Sequence, residues 1–168
     1  MLIIFLFIFG IILRLIPHLP NFAPITAIAL FSGAYLNKKY SLWVPISLYI
    51  ISDLIIGLHQ LVIFTWGSVL LITLLGRLIQ KRRSLIVNSF YALISSLVFF
   101  IISNFGVWLN GWYGYTYSGL VECYIMAIPF LRLSLLADLL FIILLTQIYV
   151  FITAKVENQR IRTALLTN

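Results

Sequence analysis

Long apolar runs separated by short polar breaks organise the chain. A helix needs roughly 20 mostly apolar residues to cross a bilayer. The breaks predict six such helices, over about 1–16, 24–36, 41–58, 61–79, 85–103 and 130–153. The first run starts apolar at once, with no basic region before it and no small-residue cleavage site after it, which predicts a retained helix and not a removed signal peptide. Three prolines, Pro17, Pro20 and Pro24, then make a stiff loop that no helix continues through. The second run carries Ala27, Ala29, Ser32, Gly33 and Ala34, a small-residue surface suited to close helix contact. Over 104–124 no helical period survives, and four glycines with many aromatics predict an interfacial loop. The last helix is expected to start between Ile125 and Arg132, with Pro129 near its beginning, and to end near Thr153.

Composition narrows the class. Apolar residues make up 63% of the 168-residue chain and charged ones only 9%, against about 25% charged in soluble domains. A soluble enzyme, a disordered chain and a secreted disulfide scaffold are excluded. The expectation is an all-α polytopic membrane bundle forming a single membrane domain, with the lipid bilayer as its first partner. Cys123 is the one cysteine, so no internal disulfide can form.

Charge orients the bundle. The net charge of +7 has no basic stripe with interleaved aromatics, so nucleic acid is not expected as a partner. Lys38 and Lys39, then Lys81, Arg82 and Arg83, then Lys155, Arg160 and Arg162 fall on one side of a six-helix arrangement, with Arg77 close by. The excess of Lys and Arg on cytoplasmic loops then puts both termini in the cytoplasm of a multi-pass inner-membrane protein.

This topology gathers the unusual polar residues toward the opposite, extracytoplasmic face. The first outer loop brings Arg14, His18 and Asn21; the second brings His59, with Asp53 below it; the third brings Asn104, Trp108, Asn110, Trp112, Tyr113 and Glu122; the last helix adds Arg132 and Asp138. At 1.5 Å per residue Asp138 stands about 25 Å above Lys155, and Asp53 about 18 Å above Ser41. An ionisable group at such depth costs about 2.5–3.5 kcal/mol even on lenient scales, so it should face the bundle and find a partner. Arg14 is expected to pair with Asp53, Glu122 or Asp138. Trp108 and Trp112 are expected to turn inward as a wall or lid, since aromatics and asparagines are what small-ligand pockets use.

Three readings compete. Arg14, His18, Asn21, Asp53, His59, Asn104, Trp108, Trp112, Glu122, Arg132 and Asp138 could line a pocket that captures a small solute from outside, as a transport component. They could instead be structural ion pairs in an assembly protein without a ligand. Or His18, Asp53, His59 and Glu122 could serve an intramembrane enzyme acting on lipid, which needs a carboxylate and a histidine within hydrogen-bond reach. The histidines and carboxylates lack tight metal spacing, and no catalytic elbow surrounds Cys123, so neither a metal nor another cofactor is expected. There is no nucleotide-binding loop, so energy for transport would come from an energising partner on the cytoplasmic side, from an ion gradient, or from nothing.

The strings RLIPHLPNFAPITAIALFSGAYL at 14–36, SDLIIGLH at 52–59, SNFGVWLNGWYGYT at 103–116 and GLVECYIMAIPF at 119–130 resemble a family of small bacterial integral membrane proteins of unknown function. More remotely, the size, six helices and inward termini are similar to the substrate-binding S components of energy-coupling factor vitamin transporters. That likeness implies an outward-opening vitamin or metal-ion pocket and a cytoplasmic ATPase module as partner. S components carry an Ala-x-x-x-Ala contact motif on the first helix; here the first helix has no alanine.

Overall fold

A computed structural model describes residues 2–17 and 19–166, with side chains through residue 157. His18 lies outside the described residues, as do the side chains of Arg160 and Arg162. The described chain is all-helical: α1 Leu2–Leu15, α2 Ile25–Tyr35, the single turn α3 Lys38–Ser41, α4 Trp43–Ile56, α5 Val62–Leu78, α6 Leu85–Leu109 and α7 Tyr117–Leu166. Three stretches, Lys38–Ile56, Leu85–Leu109 and Tyr117–Glu157, are long and apolar enough to cross a membrane.

Local chemistry sets most of the boundaries. α1 stops just before Pro17, because the residue preceding a proline is pushed out of the helical region. Pro24 stands at the start of α2, where its missing N–H is not needed. The side chain of Asn37 accepts from the Lys39 amide at 3.1 Å and that of Ser84 from Val87 at 3.2 Å, starting α3 and α6. Gln80 Nε2 donates to the carbonyls of Gly33 at 3.0 Å and Leu36 at 3.2 Å, so the open end of α2 is satisfied from the end of α5.

α2 is the centre of the molecule. Every residue from Ile25 to Ala34 is buried. α1, α4, α5, α6 and α7 surround it, and the ring closes where Phe9 of α1 meets Phe141 of α7 at 6.1 Å. The small residues of α2 do what their pattern predicts. A Cβ on Gly33 would collide with the Thr73 carbonyl and come within 2.8 Å of Gly76 Cα; one on Gly76 would collide with the Leu30 carbonyl. The two glycines let α2 and α5 cross backbone to backbone. The outward faces of the ring are apolar, with Ile63 78%, Leu78 73% and Ile86 83% exposed.

One expectation fails. The aromatic stretch 104–124 is not an interfacial loop but the tip of a helical hairpin. α6 runs on to Leu109 and α7 begins at Tyr117, well before the expected start of the last helix and through Pro129. Only residues 110–116 turn, with Gly111 at φ 78° and Gly114 at φ 72° in the left-handed region that favours glycine. Thr116 starts α7: its hydroxyl accepts from the Gly119 amide at 3.0 Å. α7 also continues past Thr153 to Leu166.

The segments around Lys38, Arg77 and Arg83 share one end of the bundle. Arg77 donates to Ser41 Oγ at 2.9 Å and to the Lys38 carbonyl at 2.8 Å, and Arg83 lies over the Tyr35 ring at 5.1 Å. Phe31, Tyr35 and Tyr149 stack beneath, with Phe31–Tyr35 centroids 4.4 Å apart, and fill the interior at that end.

Candidate functional site

At the opposite end, two hollows enter the bundle, one of about 540 Å³ and one of about 310 Å³. Both touch Arg14, Asn21, Tyr49 and Phe99, so the two share a wall. The larger has exposed Pro20, His59 and Trp112 at its rim, and Asn104, Tyr113 and Cys123 along its side. The smaller reaches Thr26, Ser134 and Asp138. Pockets of this size take small molecules. A third hollow, of about 500 Å³, lies along the outer surface of α1 against Ile4, Ile8 and Leu13 and carries no polar side chain.

The shared wall is an ion-pair network. Arg14, in the last turn of α1, pairs with Asp53 of α4 and donates to Ser52 Oγ at 2.8 Å. Its guanidinium lies 3.9 Å over the Tyr49 ring. Trp66 of α5 donates its indole N–H to the other Asp53 oxygen at 2.7 Å. Asp53 is 1% exposed, so a charge that would be untenable alone is held by one cation from α1 and one N–H from α5. Of the three partners the sequence offered Arg14, the fold selects Asp53. Its position follows from helical spacing: Tyr49, Ser52 and Asp53 lie three and four residues apart and so share one face of α4.

Asp138 is a separate centre. It is 1% exposed on α7 and accepts from the Thr26 hydroxyl of α2 and from Ser96 Oγ of α6, the latter at 2.5 Å. Three helices meet on this carboxylate.

The other expected site residues divide. Asn21 faces both hollows from the proline loop, at φ 59°, a left-handed conformation that asparagine tolerates. Asn104 lines the larger hollow while its amide donates back to the Phe100 carbonyl at 2.8 Å. His59 Nδ1 accepts from the Leu61 amide at 3.2 Å, and its Nε2 is 3.8 Å from Asp53. That exceeds hydrogen-bond reach, and both Asp53 oxygens already have partners, so the pair is not arranged as an acid–base couple. Trp112 stands at the rim, but Trp108 does not turn inward: it packs on Phe105 and donates to the Thr116 carbonyl at 3.2 Å, tying the hairpin. Glu122 and Arg132 are exposed on α7 and lie outside both polar hollows. The reason is the hairpin: once 117–132 is helical, it cannot fold over the bundle as a loop would.

Sequence reasoning missed Thr26, Tyr49, Trp66, Ser96 and Phe99. Their only signal is a hydroxyl or aromatic set in an apolar helix, which a core position carries equally well.

The chain matches the family described as a family of unknown function, DUF6580, over residues 1–161, and it belongs to that family. No curated protein and no solved structure matches the chain.

Proposed function

We propose that this member of the DUF6580 family is a multi-pass protein of the bacterial inner membrane that captures a small solute from the extracytoplasmic side, as a transport component. The observation that carries the reading is the pair of neighbouring hollows that share Arg14, Asn21, Tyr49 and Phe99 as a wall, with α2 and the Phe31–Tyr35–Tyr149 stack filling the bundle beyond them. A bundle that only needed stitching would pair its charges and leave no space. The apolar outer faces suit lipid contact. The basic segments lie at the end away from the hollows, so the positive-inside rule turns the hollows outward and both termini toward the cytoplasm. An energising partner would then dock on the basic side, as the likeness to S components implies.

The Arg14–Asp53–Trp66 network, which ties α1, α4 and α5 together, favours a second reading, a structural protein without a ligand. Mass spectrometry of small molecules that co-purify with the protein separates the two. Capture predicts a compound enriched with the wild type and lost from a Trp112→Ala, Tyr113→Ala variant that melts at the same temperature. Identical small-molecule content in the two preparations would leave the structural reading standing.

A further inference from the structure

We propose that the smaller hollow is the seat of a small organic cation whose ammonium group is taken by Asp138. This rests on the capture reading and names the ligand class. The groups bonded to the Asp138 carboxylate, the hydroxyls of Thr26 and Ser96 and the Ala27 amide, are neutral. Among the described residues, no lysine, arginine or histidine nitrogen lies within 4.0 Å of it; the ion pairs there both belong to Asp53. Arg14 lines the same hollow, but Asp53 answers its charge and Tyr49 covers its face. Ionised, Asp138 would add a negative charge beside the cavity that Arg14, already paired with Asp53, does not answer. At membrane depth such a carboxylate must be neutralised, either by a proton or by a cation that enters the hollow.

The shape of the hollow decides between a bare ion and an organic one. At about 310 Å³ it has room for roughly ten waters, each taking about 30 Å³ of liquid volume, far more than a metal ion fills. Ile25, Ile56 and Phe99 give it apolar walls, which offer nothing to a hydrated ion and suit an alkyl or aryl body. The Phe99 ring adds a surface that attracts cations.

The test uses one frame with three heads: phenethylamine, phenethyl alcohol and phenylacetate, titrated calorimetrically into the purified full-length protein. Phenethylamine alone should bind, and Asp138→Asn should weaken it about tenfold or more. The asparagine carbonyl still accepts from Thr26 or Ser96, so the fold is expected to hold. If Asp138→Asn does not fold, Ser134→Leu, which fills the same hollow from α7, must abolish phenethylamine binding. Phenethylamine binding that survives Asp138→Asn or Ser134→Leu overturns the proposal. So does binding of none of the three. Binding of the alcohol or phenylacetate in place of the amine, if sensitive to Ser134→Leu, overturns the cation assignment while leaving solute capture intact.

Discussion

Breaking the Arg14–Asp53 pair from either side should destabilise the protein at least as much as removing it whole. Asp53→Leu strands a guanidinium that is only 13% exposed and leaves the Trp66 indole N–H without its acceptor. Removing one member of a buried ion pair costs about 3–5 kcal/mol. Arg14 sits in the last turn of α1, from where its long side chain can swing toward the headgroups, so Asp53→Leu belongs at about 3 kcal/mol. Arg14→Met strands a carboxylate at 1% exposure, with no stem to carry it to water, and belongs nearer 5 kcal/mol. The double variant Arg14→Met, Asp53→Leu leaves no charge behind; the unpaired Trp66 N–H remains, at about 1–3 kcal/mol. With about 2–4 °C lost per kcal/mol in a chain of this size, Asp53→Leu should lower the unfolding temperature by about 6–12 °C. The double variant should fall no further than either single one. The assay is thermal unfolding in detergent, followed by tryptophan fluorescence. A double variant whose loss equals the sum of the two single losses would refute the argument, because it would mean that neither charge depends on the other.

The α2–α5 crossing gives a paired prediction: Gly33→Ala or Gly76→Ala should lose more than about 2 kcal/mol, or fail to fold, by forcing the backbones apart. Gly67→Ala, with nothing within 4 Å of the new Cβ, should be neutral or stabilising by up to about 1 kcal/mol in the same melting assay. Trp108→Ala should lower the melting temperature by loosening the hairpin it ties through Thr116 while leaving the content of co-purified small molecules unchanged. In a Cys123→Ser background, Lys39→Cys and Arg82→Cys should resist a membrane-impermeant thiol reagent in intact cells and Asn110→Cys should react; the reverse pattern would invert the topology.

The helical class, four of the six expected helices to within about three residues, and the clustering of basic segments at one end were all legible in the chain, because each rests on local pattern. α1 stops just before Pro17, and the Asn37 and Ser84 side chains start α3 and α6, through contacts only a few residues away. The hairpin at 104–124 misled for a related reason: its glycines report a turn, and one occurs here, but it occupies only residues 110–116. Thr116, the cap of α7, was the readable clue. Partner choice was not local at all. Arg14 had to find a carboxylate, since charge at depth demands one; that it is Asp53 and not Asp138 follows from α4 lying beside α1 while Asp138 meets Thr26 and Ser96 across α2. The sequence by itself determined that Arg14, Asp53 and Asp138 need partners, but Glu122 and Arg132, which it grouped with them, are exposed. Only the packing of five helices around the short α2 decided that Asp53 answers Arg14 while Asp138 lines a hollow and is met by the hydroxyls of Thr26 and Ser96, because both depend on distances between residues 39 to 112 positions apart along the chain.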